Sequence, residues 1–285
     1  MRTATLPSAA GADFLGSAGA AALNHEDFET VRELIARYAG IKLSPQKRNM
    51  VYNRLLRRLR AHGTSSFSDY LRLVQADNSS EREAFVNALT TNLTAFFREP
   101  HHFELLAAQA RARAGRGKPL RVWSSACSTG EEAWSIAMVL READCAGEVR
   151  GTDIDTEVLQ TASTGVYRSD RVAGLPADRL RKHFLRGTGS NDGFVSIRPE
   201  LRPMAKFAPL NLQSSAWPAQ ERFDAIFCRN VVIYFDRDSQ KRLLARLADL
   251  LVPGGLLMVG HSESFPAAHA GFRSCGRTAY ERVGA

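Results

Sequence analysis

Four short segments of this chain hold the residue types that could do chemistry. Thr90-Thr91-Asn92-Leu93-Thr94-Ala95-Phe96-Phe97-Arg98-Glu99-Pro100 sets an amide (Asn92), a hydroxyl (Thr94) and a guanidinium (Arg98) within one short run. The others are Ser128-Thr129-Gly130-Glu131-Glu132, Gly151-Thr152-Asp153-Ile154-Asp155, and Cys228-Arg229-Asn230-Val231-Val232-Ile233-Tyr234-Phe235. A guanidinium grips a carboxylate in bidentate fashion. A pyrophosphate site needs several glycines and a free helix N-terminus. The turn Ala126–Gly130 has one glycine and is followed by two carboxylates, which repel phosphate and attract an ammonium group. Asp153 lies about 20 residues further on, where an acidic residue holds a ribose diol.

These features describe a site for an adenosyl cofactor without phosphate. Asp153 would take the ribose, Glu131 an amino-acid ammonium and Arg98 a carboxylate, a combination that points to S-adenosylmethionine. Spacing alone leaves Arg98 open to an ordinary ion pair with Glu99 or Glu104. It leaves Asp153 open to a role as a turn residue.

The elements that must position these groups change character along the chain. From about residue 24 to 93 the pattern is helical. Phe28, Val31, Ile35 and Tyr38 form one apolar stripe. Ser44 as N-cap, Pro45 at the first position and Gly63 as terminator predict a helix. Its buried face would carry Tyr52, Leu55, Leu56 and Leu59, with Lys47, Arg48, Arg54, Arg57 and Arg58 on a basic face. Helices are also predicted over Ser68–Ala76 and Glu81–Leu93. After Arg98, strands and helices alternate: strands near 120–123, 148–152, 223–227 and 256–259, helices near 131–142 and 156–163. Pro253-Gly254-Gly255 reads as a turn, and Asp236 as a helix cap. Such alternation builds right-handed βαβ units and a mostly parallel sheet. Residues 168–206 break the rhythm. Gly187, Gly189 and Gly193 there predict a small antiparallel insertion. The expected divisions are a disordered lead-in at 1–22, a helical domain at 23–93, and an α/β domain at 94–285.

Composition narrows the class. The chain has 285 residues, 44% hydrophobic and 24% charged, with formal net charge +8. This is an ordinary globular balance, and its positive sign favours acidic partners. No apolar run approaches membrane-spanning length. The Ala/Gly/Ser-rich start lacks the continuous apolar core of a signal peptide. Cys127, Cys145, Cys228 and Cys275 show no metal-ligand spacing, which predicts a reducing, cytoplasmic setting and no metal. His101-His102 lacks companion ligands at useful spacing.

The run Thr91 to Glu99 resembles the signature of the chemotaxis receptor glutamate methyltransferases. So do Ser128–Glu132, Thr152–Asp155, Asn211-Leu212, Cys228–Asp236 and the His261-Ser262-Glu263-Ser264 stretch. The likeness runs in order from about 24 to 284. It implies a Rossmann-like class I methyltransferase sheet with a small β insertion, preceded by an all-α domain. It implies S-adenosylmethionine as cofactor and S-adenosylhomocysteine as product. Asn92, Thr94, Arg98, Glu131, Asp153, Asn211, Leu212, Arg229 and Asn230 would line the cofactor site, and Tyr234 would lie near the transferred methyl. Arg98 and Tyr234 are the expected catalytic pair. The partner would be the cytoplasmic domain of a chemotaxis receptor. Its acidic methylation helices would meet the basic helix face, and its C-terminal peptide would meet the three-glycine loop. A monomer that neither binds nucleic acid nor inserts in a membrane is expected.

Other readings have less behind them. An RNA methyltransferase would need aromatic stacking platforms among basic residues, and none is evident. A non-enzymatic cofactor-binding sensor could use the helical domain for protein contact, but intact Arg98, Asp153 and Tyr234 argue against such decay. A zinc deaminase around His261 would need a downstream Pro-Cys-x-x-Cys, which is missing.

Overall fold

The computed structural model describes residues 21–115, 117–217, 221–263 and 271–284. Residues 1–20 of the expected lead-in, and Ser264, lie outside the described residues.

The chain opens with four helices: α1 (His25–Ala39), α2 (Arg48–His62), α3 (Phe67–Gln75) and α4 (Glu81–Leu89). Asn24 caps α1 by accepting the Asp27 N–H at 2.7 Å, and Gly40 ends it in the left-handed conformation. Ser44 makes no side-chain capping bond. The chain starts instead as a 3-10 turn over Pro45–Lys47 that runs into α2, which Gly63 terminates as expected. Val51, Leu55 and Leu59 form the buried face of α2, while Tyr52 and Leu56 are half-buried. Val51, Leu55, Leu59 and Tyr52 join Phe28, Val31, Ile35, Phe67, Tyr70 and Phe85 in one apolar cluster. The helix expected to reach Leu93 stops at Leu89, because Thr90 turns extended. Residues 90–95 therefore form an arm between the helices and the sheet.

Beyond the arm come α5 (His101–Arg113), β1 (Leu120–Ser124), α6 (Glu131–Glu142), β2 (Gly147–Asp153) and α7 (Thr156–Thr164). Then follow β3 (Val166–Arg168), α8 (Ala177–His183), β4 (Phe184–Arg186), β5 (Phe194–Ile197) and β6 (Ala205–Pro209). The chain closes with β7 (Phe223–Cys228), α9 (Arg237–Leu250), β8 (Leu251–Val259), β9 (Phe272–Gly276) and β10 (Ala279–Arg282).

Seven strands make one sheet in the order β6-β2-β1-β7-β8-β10-β9. β6, β2, β1, β7 and β8 are parallel, and β10 is antiparallel to both its neighbours. β7, Phe-Asp-Ala-Ile-Phe-Cys, is buried at every position, as a central parallel strand must be. This is the expected α/β, Rossmann-like class I methyltransferase sheet. Strand order reverses about β1, between β2 and β7, so the crevice for a ligand lies at the carboxyl ends of those strands. The expected turn at Pro253–Gly255 is absorbed into an irregular β8, and the sequence pattern missed β9 and β10.

The insertion is a separate sheet, β3-β5-β4. It begins earlier than expected, at β3, and β6 at its far end belongs to the main sheet. Among the described residues no helix is long and apolar enough to cross a membrane, and all four cysteines are free thiols.

Candidate functional site

A cavity of about 250 Å³ opens at the carboxyl ends of β1, β2 and β7, under the arm and the segment after α1. Asn92, Thr94, Arg98, Asp153, Asn211, Leu212, Arg229, Asn230 and Tyr234 all line it. These residues come from four stretches far apart in sequence, gathered by the strand ends and the arm.

Asp155 holds the arm down. Its Oδ1 caps α7, accepting the N–H groups of Glu157 and Val158 at 3.0 and 3.3 Å. Its Oδ2 accepts the Thr90 hydroxyl at 2.6 Å and the Asn92 amide at 2.8 Å. One buried carboxylate thus starts a helix and fixes the cavity's edge. Lys42 N–H donates to the Tyr234 carbonyl at 2.9 Å, and Asn211 Nδ2 donates to the Tyr38 carbonyl at 2.7 Å. Both bonds tie the helical part to the sheet across the cavity.

Asp153 ends β2 with Oδ2 accepting Ser128 N–H at 2.8 Å and Oδ1 accepting Asp155 N–H at 3.0 Å. Burial pushes its pKa up to about 6, against the pull of those backbone bonds. Gly130 explains why the preceding turn has a single glycine. Its φ is +93°, and a Cβ there would lie 2.7 Å from that of Ala162 in α7. The glycine serves helix packing.

Glu131 is a correction. It does not line the cavity. Its carboxylate takes the Thr129 hydroxyl at 2.6 Å and pairs with Arg171, which also donates to the Thr94 carbonyl at 3.0 Å. Glu132 lines the cavity instead. It accepts from the Ser124 hydroxyl at 2.6 Å and from Arg229 at 2.9 Å. Burial raises its pKa, with Arg229 opposing. Two adjacent carboxylates at a helix start point different ways, and the β strand beneath decides which faces inward. Sequence reasoning also missed Lys42, because its loop has no periodicity.

Arg98 forms no ion pair among the described residues, so the alternative of a bond to Glu99 or Glu104 fails. It donates to the Leu93 carbonyl at 2.9 Å. Glu99 is engaged elsewhere: Arg229 lies 3.4 Å from it and His261 3.3 Å. Burial would raise the Glu99 pKa, but Arg229 and His261 outweigh it and leave it lowered. The expectation that His101-His102 lacks companions is likewise corrected. Glu99, His101 and His102 bring ligand-type atoms within 4.8 Å of one another. Their carboxylate is spent on Arg229 and His261. Burial and the Arg229 charge hold the His102 pKa down at about 4, so its ring stays neutral.

The basic face is only partly available. Arg54 donates to the Ala88 and Thr90 carbonyls, and Arg58 binds Glu81 through two 2.7 Å bonds. Arg48 reaches the Leu23 carbonyl yet stays exposed, as do Lys47 and Arg57. Arg54 and Arg58 are therefore engaged in internal ties while remaining partly exposed. In the insertion, Gly189 and Gly193 have positive φ, and a Cβ on Gly187 would lie 2.0 Å from the Asn191 carbonyl oxygen. The loop's tightness requires that glycine.

Residues 26–90 match the family described as CheR methyltransferase, all-alpha domain, and residues 92–280 match CheR methyltransferase, SAM binding domain. The chain belongs to the CheR methyltransferase family. A chemotaxis protein methyltransferase of Klebsiella aerogenes is 50% identical over 263 residues, covering 90% of each chain. One from Escherichia coli is 49% identical, covering 91% of each. A third, from Pseudomonas aeruginosa, is 49% identical over 90% of this chain and 92% of its own. A solved magnesium protoporphyrin IX methyltransferase from Synechocystis, with bound SAM, has TM-score 0.36 and 16% identity, covering 79% of this chain and 91% of its own. At that score the likeness carries no functional weight. This CheR chain is a chemotaxis protein methyltransferase that uses S-adenosylmethionine. Its donor set suits that cofactor: a strand-end carboxylate, a guanidinium without an acidic partner among the described residues, and apolar Leu212 and Ile154 in the lining.

Proposed function

We propose that this enzyme methylates glutamate side chains of chemotaxis receptors, forming methyl esters that serve sensory adaptation. The observation that carries this is the choice of groups around the cavity. Among the described residues neither a histidine nor a thiol lines it, and its carboxylates, Glu132 and Asp153, are held in place by accepting from Ser124, Arg229, Ser128 and Asp155. The acceptor must bring its own nucleophile. A glutamate, with a reference pKa near 4.3, is anionic at neutral pH.

When bound, S-adenosylmethionine supplies an electrophilic methyl group on a sulfonium. Asp153 would hold the ribose, and Arg98 the cofactor carboxylate. Asn92, Thr94, Asn211, Leu212, Arg229 and Asn230 would complete the cradle, and Glu132 takes the place expected of Glu131. Tyr234, half-buried at the rim, would orient the acceptor or face the sulfonium with its ring. The protein's contribution is alignment, which is worth roughly 7–11 kcal/mol of barrier. A dry pocket helps further, because charge is lost as anion meets cation.

Lys47, Arg48 and Arg57 are the exposed cations that suit an acidic receptor helix. β3 and β4 are the edges of the insertion sheet and fit a receptor C-terminal peptide by strand addition. Such a tether would raise local acceptor concentration. Calorimetry with receptor C-terminal peptides tests it, and no heat with any peptide rejects it. The enzyme would act in the cytoplasm as a monomer.

The deciding experiment transfers labelled methyl from S-adenosylmethionine to receptor-containing membranes, with Arg98→Ala as control. Base-labile label on the receptor, lost in the variant, is expected. Cofactor binding without transfer to any receptor would reject the acceptor.

A further inference from the structure

The Gly260-His261-Ser262-Glu263 turn touches none of the cavity, yet it encloses the segment that lines it. The turn closes on itself through Glu263 N–H to the Gly260 carbonyl at 2.8 Å. The buried Glu263 carboxylate then reaches across to the end of β7. Its Oε2 accepts the N–H of Asn230 at 2.8 Å and of Gly260 at 2.6 Å. Its Oε1 accepts the N–H of Val232 at 2.7 Å and of Ile233 at 3.4 Å. No cation pairs with it among the described residues. Among the described residues four backbone amides compensate it.

Those amides belong to strained and otherwise unsatisfied backbone. Asn230 has φ +58°, a left-handed conformation uncommon outside glycine and reached most readily by asparagine among the rest. Such strain persists only where the surroundings over-determine it. Val232 and Ile233 open the 3-10 turn that ends at Tyr234, and first-turn amides have no partner within their own turn. Gly260 fits because a Cβ there would lie 2.4 Å from Asn230 Nδ2. The same turn also bonds Glu99 through His261, and Glu99 faces Arg229.

We infer that Glu263 is a positioning residue for methyl transfer: acting only through backbone amides, it fixes the loop that presents Asn230 and Tyr234 to the cofactor cavity. This rests on the assignment of Asn230 to the cofactor. Glu263→Gln keeps the side-chain volume but sets an N–H₂ against the amides it should accept. Glu263→Asp keeps the charge and is one methylene short.

The test measures amide hydrogen exchange at 230–233 and calorimetric affinity for S-adenosylhomocysteine, expressed per folded molecule. Glu263→Gln should raise exchange at Asn230, Val232 and Ile233 and weaken binding tenfold or more, with Glu263→Asp between it and wild type. Combined with Asn230→Ala, its effect on affinity should shrink, because both act through one group. Wild-type affinity for Glu263→Gln, or full additivity with Asn230→Ala, overturns the inference. A merely structural role would lower the folded fraction and leave affinity per folded molecule unchanged. Wild-type affinity for Asn230→Ala alone would instead remove the assignment of Asn230.

Discussion

Asp153 shows how one buried side chain links burial to binding. Its pKa of about 6 lies above the ordinary aspartate value of 3.8. In the proposed site a ribose diol donates to the ionised form, so a proton competes with the cofactor. Affinity should be full above about pH 7, be roughly halved near pH 6 and approach a tenfold fall per unit below about pH 5. Calorimetry across pH 5–8 checks this, and Asp153→Asn should weaken binding and flatten the profile. That Asp153 and Arg98 line the cavity was legible in the sequence, because a strand end and a motif fix where they sit. The choice of Glu132 over Glu131 was not. It depends on Arg229 and Ser124 lying beneath the first turn of α6, and on Arg171 waiting outside.

Among the elements, α2 is where a charge pattern misleads. Its cations look like one solvated stripe, yet Glu81 takes Arg58, and Arg48 and Arg54 reach backbone carbonyls. Glu81 is buried and accepts from Arg58, from Tyr70 at 2.8 Å and faces His62 at 2.6 Å. Burial would raise its pKa, but these bonds outweigh it and lower it. Its contribution is therefore complete above the unfolded value of 4.5 and is lost as pH falls through the native value. Glu81→Ala leaves Arg58 and the Tyr70 hydroxyl without their acceptor, and should cost about 3 kcal/mol at pH 7. Urea unfolding of the full chain at pH 7 and pH 3 reads both the cost and its loss. The early end of α4 has a similar origin. Nothing local stops a helix at Leu89, but Asp155 draws Thr90 and Asn92 out of it.

At the scale of the molecule, the cavity exists because helices and sheet share it. Lys42, Tyr38 and Asp155 carry the ties between them. Exposed Lys47 and Arg57 stand on the helical part, and Leu93, 76% exposed, stands on the arm. Charges at a rim mainly raise encounter rate. Lys47→Ala with Arg57→Ala should raise the receptor KM severalfold at low salt and flatten its salt dependence, with cofactor affinity changed little. An unchanged salt response would remove the basic face from receptor contact. The sequence by itself determined the element types, the family and the motif residues, because periodicity, caps and turns act over a few positions. It could not determine which side chains of a motif face the cavity, which arginines are spent internally, or that Glu99 meets His261. Nor could it place Glu263 over Asn230, or find the two last strands. Those depend on contacts between residues far apart in the chain, where burial and competition for hydrogen-bond partners are settled only once the sheet is assembled.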